Sequence, residues 1–485
     1  MVQMLRPWPL QISLDRTGPS AFHIQISEAV VDAIKSNRLQ PGSPLPGTRE
    51  LAERLAVNRK TVQLAYEELV SRGWVTAEGR RGTFVSLRLL ASMHLPDEMA
   101  AGPEPVVPIA RRVVPAAPAL GMIIFDDGAP DTRLLPVSAL AQAYRGALLQ
   151  LSRSNRLADE DALGSFALRT SVSTMLNFNR GMATTPERIC LTRGSQMAIF
   201  LAARILAGPG AAVAMEEPGY AQARAAFRGV GAELVPIPVD SQGLQMDELE
   251  KACQGRRLAC VYVTPHHQFL TTVSLSADRR KRLMELSDRY GFTILEDDYD
   301  HEFHFTSKPI LPLVNLNPDA NIVYVGSFSK LLSPHLRSGF ISGPAGFIRQ
   351  AAAMVAQIDR LGDPVTELAL AELIASGEVK RHYDKALRVY DQRRQRLGEA
   401  LQLHFGSVAR FLIPEGGLAY WVEFDSPFGT AKFTARARAA GVRPLPTRLF
   451  WIGRPKVQAT RIGFAHLTTA EIAEALCRIK YALSC

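Results

Sequence analysis

Apolar residues between Ala21 and Leu39 recur at helical spacing, at Ile24, Ile26, Val30, Val31 and Ile34. A rigid PGSPLPGT loop follows. The next segment, RELAERLA, sets Leu51, Ala52 and Leu55 on one face of a short helix. After a tight turn, RKTVQLAYEELVSR carries Val62, Ala65, Tyr66, Leu69 and Val70, a full i, i+3, i+4, i+7, i+8 stripe. Asn58 is placed to cap this helix and Gly73 to end it. WVTAEGRRGTFVS then alternates as a small hairpin with EGRRG at its tip. Two short helices around a tight turn, followed by a basic hairpin, predict a winged helix-turn-helix over residues 21–86. Residues 1–20, with Pro7, Pro9, Gly18 and Pro19, read as an irregular lead-in.

The pattern changes twice more. Residues 87–120 carry Pro96, Pro103, Pro105, Pro108, Pro115 and Pro118 among small and charged residues, the composition of a semi-rigid, extended linker. From Gly121 to residue 485 strand and helix patterns alternate, which predicts an α/β domain with a mostly parallel sheet. ALRTSVSTMLNFNRGM is a helix closed near Gly181, and RICLTRGSQMAIFLAARIL is a strand, a glycine turn and a helix. AAVAMEE, LACVYV, FTIL and IVYVG are further strands. A long helical span is expected after Lys330, to about residue 405. GGLAYWVEF, PFGTAKFTARARAAGV and ATRIGFAHLTTAEIAEAL then describe a small C-terminal α+β lobe.

Charge sharpens the reading of the first domain. The net charge of +9 is a mild basic excess, compatible with DNA binding. The cations fall at docking positions. Asn58, Arg59, Lys60 and Thr61 open the third helix, where a recognition helix meets base edges and phosphates. Arg49 opens the helix before it, and Arg80 and Arg81 sit on the hairpin tip, where a wing reaches along a groove. The five scattered cysteines lack metal-ligand spacing and favour a reducing compartment. No metal ligand set is expected. The lack of a long apolar stretch argues against a secretory signal or a membrane span and for a cytoplasmic protein.

Two stretches of the larger domain carry chemistry. In NIVYVGSFSKLLSPHLRSGF, Lys330 follows a buried strand, with Ser327, Ser329 and Arg337 close by. A partly desolvated lysine is a nucleophilic amine, and two serines with an arginine suit a phosphate. Pyridoxal phosphate held as a Schiff base fits this set. A surface lysine after a strand is the plain alternative, and the second stretch decides between them. In FTILEDDYDHEFHF, Asp297 suits the protonated pyridine nitrogen of that cofactor and Tyr299 its ring oxygen. The turn at Gly194, Ser195 and Gln196 opens a helix and offers backbone N–H groups to the phosphate.

VGSFSKLLSPHLRSGF and ILEDDYDHEF resemble the fold-type I aminotransferase core. LPGTRELAERLAVNRKTVQLAYEELVSRGWV and RRGTFV resemble the GntR family head. Together they resemble the MocR/GabR group of regulators, in which that core follows a GntR-type winged helix. The resemblance covers nearly the whole chain apart from the linker. It implies that Tyr220 stacks on the cofactor ring, that His267 and Gln268 reach the cofactor, and that Arg461 grips a substrate carboxylate by a two-pronged contact. It also implies a head-to-tail homodimer that presents two heads to paired half-sites. Two departures stand out. The loop that usually ends in Pro-Thr-Gly reads Leu270, Thr271, Thr272, and an aromatic that serves the partner subunit's phosphate site in the enzymes falls at Asp159.

The expected function is a DNA-binding transcriptional regulator whose aminotransferase-like domain senses an amine or amino acid by aldimine exchange at Lys330. The alternative is a working aminotransferase with an accessory DNA-binding head. The cofactor residues serve both readings, whereas an intact DNA-reading head favours the first. A DNA-binding protein with a dead second domain conflicts with so many retained cofactor residues.

Overall fold

In the computed structural model the described residues are 11–36, 38–87, 121–154, 161–306, 310–317, 320–360, 362–425, 430–455 and 457–484. Nearly all of the linker, and Asp159, lie outside them. The chain divides into two units, Met1–Pro115 and Ala116–Cys485.

The first unit is built from α1 (Phe22–Lys35), α2 (Thr48–Leu55), α3 (Arg59–Ser71) and the antiparallel pair β1 (Val75–Ala77) and β2 (Thr83–Val85). Its core joins Ile26, Val30 and Ile34 of α1 to Leu51 of α2 and to Val62, Ala65 and Leu69 of α3, closed by Val75 and Val85 of the hairpin. Tyr66 donates its hydroxyl to the Pro46 carbonyl at 2.8 Å, which ties α3 to the proline-rich loop. The Asn58 side chain caps α3 by accepting the Lys60 N–H at 2.9 Å, and Gly73 follows the helix at a φ of +76°. Val70 departs from the expected stripe. It is 40 % exposed, because the i+8 position has rotated past the edge of a helix that packs on one side only.

The second unit centres on one large sheet. Its strands are β4 (Ile189–Thr192), β5 (Ala212–Glu217), β6 (Glu233–Asp240), β7 (Gly243–Leu244), β8 (Leu258–Val263), β9 (Thr293–Asp298), β10 (Ile322–Ser327) and β11 (Gly339–Ser342). Their order is β4-β11-β10-β9-β8-β5-β6-β7. The run from β10 to β6 is parallel, and β11 is antiparallel to both of its neighbours. Three apolar clusters pack against the sheet, one of them around Ile189, Leu191, Tyr324 and Phe340. A second gathers Ala198, Ile199 and Ala202 with Val213, Leu295 and Val323. Another gathers Leu249, Leu283 and Phe292 with Ala214, Val261 and Ile294. Because β5, β8, β9 and β10 run the same way, their carboxyl ends open on one edge, where ligands of such sheets sit.

The expectation of a long helical span directly after the lysine needs correction. β11 intervenes, and only then come α10 (Ala345–Ile358), α11 (Pro364–Ala375) and α12 (Glu378–Phe405), which take their numbers after α4 (Val137–Ser154), α5 (Phe166–Arg180), α6 (Ser195–Leu206), α7 (Ala221–Gly229), α8 (Met246–Gly255) and α9 (Ala277–Tyr290). All four residues of β11 are buried, so no polar alternation marks it. The end of the chain forms an antiparallel sheet in the order β12 (Ala409–Phe411), β13 (Ala419–Phe424), β15 (Ala459–Gly463). It packs with α13 (Thr430–Ala439) and α14 (Thr469–Ser484). β3 (Ile123–Ile124) joins this lobe by pairing with β14 (Val442–Arg443). Among the described residues no helix is long and apolar enough to cross a membrane.

Candidate cofactor site and nucleic-acid interface

The carboxyl ends of the central strands meet in a cavity of about 240 Å³. Asp127, Ser195, Gln196, Tyr220, Phe269, Asp297, Tyr299, Ser327, Ser329, Lys330 and Arg337 are among the residues that line it. Register explains part of this. Parallel pairing sets Val325 of β10 opposite Asp297 of β9, so the turn carrying Lys330 emerges beside the aspartate.

Asp297 is buried, and its Oδ2 accepts the Tyr262 hydroxyl at 2.6 Å. Its Oδ1 has no hydrogen-bond partner. Burial pushes the Asp297 pKa up to about 7. The Tyr262 hydrogen bond works against that rise, and the neighbouring Asp298 and Asp300 charges add to it. Lys330 donates from Nζ to the Gly128 carbonyl at 2.9 Å and to Asp127 Oδ1 at 3.3 Å. The Lys330 charge holds the Asp127 carboxyl below its ordinary range despite burial, with help from Arg461.

The turn expected to receive the phosphate is more specific than the sequence indicates. The Gly194 N–H donates to the Thr192 carbonyl at 2.8 Å, so it is not free to face a ligand. The N–H groups that remain without intrahelical partners belong to the first turn of α6, at Ser195 and Gln196. Gly194 has a different use. Its φ is +76°, and a Cβ there would stand 3.4 Å from the Arg337 guanidinium. Arg337 donates from Nη2 to the Arg193 carbonyl at 2.9 Å. The Ser327 Oγ accepts the Ser329 N–H at 3.0 Å, which shapes the turn before the lysine.

Tyr220 meets Phe269 edge-on, with ring centroids 4.8 Å apart, and burial pushes its hydroxyl pKa up. Tyr299 lines the cavity while its hydroxyl donates to the His267 carbonyl at 2.9 Å. Gln268 and His267 are not brought into the cavity. The Gln268 amide donates to the Pro218 carbonyl at 2.7 Å, and its oxygen accepts the N–H and hydroxyl of Thr271. His267 pairs through Nδ1 with Asp300 at 2.8 Å. The Gln268 side chain holds the FLTT loop, and His267 is tied to the segment after β9.

Arg461 lies behind the cavity wall, with its guanidinium 5.0 Å from the centre of the Phe269 ring. Nε donates to the Asp127 carbonyl at 3.0 Å and Nη1 to the Leu270 carbonyl at 2.9 Å. Two of the guanidinium's five N–H groups are engaged in this way, and a carboxylate meets Arg461 either on the remaining ones or in place of one of these carbonyls. Leu270 has a φ of +140° and Thr272 a φ of +64°, conformations that are costly for residues with a Cβ. Asp127, Tyr262 and Phe269 escaped the sequence reading. Asp127 lies in FDDGAPDTRLLP, 203 positions before the lysine it pairs with, and only the fold brings the two together.

In the first unit, Arg49, Asn58, Arg59 and Lys60 are exposed and Thr61 is half-buried. Arg59 Nε stands 3.4 Å from the Thr48 hydroxyl. The hairpin tip is a short turn of helix, Gly79–Arg81, that contains Arg80. Arg81 pairs with Glu78 at 2.8 Å and leans over the Phe84 ring.

Residues 122–479 match the aminotransferase class I and II family, and residues 23–85 match the gntR family of bacterial regulatory proteins. The chain belongs to the helix-turn-helix transcriptional regulators in which these two modules are fused, the MocR type. It is 31% identical over 494 residues to the HTH-type transcriptional regulator TauR of Rhodobacter capsulatus, covering 96% of this chain and 97% of TauR. It is 26% identical over 483 residues to the probable rhizopine catabolism regulatory protein MocR of Rhizobium meliloti, covering 96% and 94%. The second unit is similar to LysN, the α-aminoadipate aminotransferase of Thermus thermophilus, whose structure holds a phosphopyridoxyl-leucine. The identity is 26% and the TM-score 0.69, over 75% of this chain and 92% of LysN. The protein is thus a DNA-binding regulator with an aminotransferase-like domain whose cofactor is pyridoxal phosphate. The buried, unpartnered Asp297 Oδ1 suits the ring nitrogen of that cofactor.

Proposed function

We propose that the domain 121–485 senses an amine or amino acid with an acidic group and passes its binding on to the DNA-reading head at 21–86. Pyridoxal phosphate, when bound, supplies an aldehyde that condenses with amines. The chain's own residues do the rest. Asp297 holds the ring nitrogen, and Lys330 is the resident amine that an incoming amine displaces. Ser195, Gln196, Ser327, Ser329 and Arg337 receive the phosphate, and Tyr220 and Tyr299 bound the ring.

The observation that carries the sensing role is the state of Arg461. Its contact with the Leu270 carbonyl holds a loop in a costly backbone conformation. An effector carboxylate that takes Arg461 releases Leu270 and lets the loop relax. Ligand binding and loop position are then coupled, as a sensor requires. In the head, Arg59, Lys60, Arg49, Asn58, Thr61, Arg80 and Arg81 form the DNA-facing set. Exposed Leu148, Leu149, Phe166 and Phe178 on α4 and α5 support pairing with a second copy as a head-to-tail dimer. The dimer acts at promoters in the cytoplasm.

The alternative, a working aminotransferase with an accessory head, draws on the same cofactor residues gathered in the cavity around Lys330. A spectral titration tests the cofactor chemistry common to both. Protein loaded with pyridoxal phosphate should absorb at the edge of the visible, and that band should shift when an effector amine from an amino-acid and amine panel is added. Lys330→Ala should lose the covalent link. A wild-type protein that stays colourless after incubation with the cofactor overturns the assignment.

A further inference from the structure

Outside the cofactor cavity, three histidines from two segments converge. His266 lies in the loop after β8, and His301 and His304 lie in the segment after β9. One ring nitrogen of each lies within 4.8 Å of the other two. The ring centroids of His266 and His301 are 4.3 Å apart, and His304 stands 5.6 and 5.5 Å from them. We propose that His266, His301 and His304 form a binding site for a divalent transition-metal ion of the zinc class.

The hydrogen bonds around the cluster leave it ready to ligate. His266 Nε2 lies against the Ile310 carbonyl, which accepts its proton and leaves Nδ1 as a bare lone pair. That Nδ1 is buried without a hydrogen-bond partner. His301 Nδ1 is 2.8 Å from Asp298 Oδ2. A carboxylate that accepts one ring N–H fixes the tautomer and turns the other nitrogen into a better ligand. His304 Nε2 is likewise buried without a partner. His266 Nδ1 and His304 Nε2 thus lie buried without partners, and one ring nitrogen of His301 lies within 4.8 Å of one on each of the other two rings, so the cluster carries a desolvation cost that an ion removes.

The surroundings favour a cation. Asp298 Oδ1 is buried and unpartnered, 3.5 Å from His266 Nδ1, and supplies negative charge beside the site. Arg180 approaches Asp298 Oδ2 at 3.7 Å, but it is also paired with Glu302. An all-imidazole donor set selects first-row transition metals over magnesium or calcium. Tetrahedral coordination at about 2.1 Å brings ligand nitrogens to about 3.4 Å of one another, which small side-chain rotations reach from the present spacing. A largely apolar cavity of about 650 Å³ borders His301 and His304 and gives an ion a way in. Three protein ligands leave a fourth position for water. The ion would tie the loop that leads to Phe269 and Leu270 to the segment that follows Tyr299, so its occupancy would bear on both walls of the cofactor cavity.

The test uses the full chain without a histidine tag, loaded with pyridoxal phosphate and stripped of metal by a chelator. Titration with cobalt(II) should give about one equivalent per chain, with visible bands of a nitrogen-ligated ion that zinc displaces. Zinc should also raise the melting temperature. His301→Gln and His304→Gln should each weaken binding by about tenfold or more while keeping the cofactor absorbance. If His301→Gln fails to fold, His304→Gln, at the rim of the cavity, carries the test. Two results overturn the proposal. One is the absence of stoichiometric cobalt or zinc binding at micromolar concentrations. The other is unchanged binding in folded variants, which would put the ion elsewhere, on the cofactor for example.

Discussion

Asp297 ionises near pH 7, because burial raises its pKa to about 7. Its raised pKa has two consequences of opposite sign. In cofactor-free protein the group stabilises the fold below its unfolded pKa of about 3.9. That contribution is lost as pH rises through about 7. Cofactor binding needs the carboxylate, which pairs with the protonated ring nitrogen. Retention of pyridoxal phosphate by wild type should therefore rise as pH increases through about 7. Asp297→Asn should flatten that rise and weaken retention by about 1.5–3 kcal/mol, the worth of a hydrogen bond to a charged group. Equilibrium dialysis of the cofactor across this pH range checks both, and an unchanged profile in the variant contradicts the role. At this scale the sequence pointed to the residues that the fold gathers in one cavity wherever one short stretch held them. Lys330 follows β10 and Asp297 stands next to last in β9, so both lie at the carboxyl edge of the sheet. Gln268 misled because its amide is spent within its own loop, a fact that depends on Pro218 and Thr271 being near.

At the scale of elements, α3 was legible because a helix packed on one side writes its burial into the sequence. Its exposed face carries Arg59 and Lys60 beside the capping Asn58. If Arg59 reads a base edge, Arg59→Ala should cost about 1–3 kcal/mol in operator binding and relax specificity at one position. Lys60→Ala should weaken binding to all sequences alike and reduce the salt slope by about one unit. Anisotropy titrations at several salt concentrations separate the two, and wild-type affinity and slope in both variants would remove these residues from the interface. β11 was not legible, since four buried residues show neither the strand period nor the helix period. Its position is nonetheless exacting. A Cβ on Gly339 would stand 2.8 Å from the Gly194 carbonyl carbon, so β11 presses directly on the turn that opens α6.

For the molecule as a whole, the order of modules could be read because a helical head, a proline-rich stretch and a strand–helix alternation differ in composition as well as in period. The coupling between Arg461 and Leu270 could not, since it depends on residues 191 positions apart folding back on one another. That coupling is the centre of the account, and promoter binding tests it most directly. Labelled promoter DNA is titrated with cofactor-loaded wild type and with Arg461→Ala, with and without members of an amino-acid and amine panel, and keto-acid product is assayed in parallel. At least one acidic amine should change wild-type DNA affinity without turnover. Arg461→Ala should keep its cofactor but lose the response, at a cost of about 2–5 kcal/mol in ligand binding for the lost buried contact. Fast keto-acid production with no ligand effect on DNA binding would contradict that coupling.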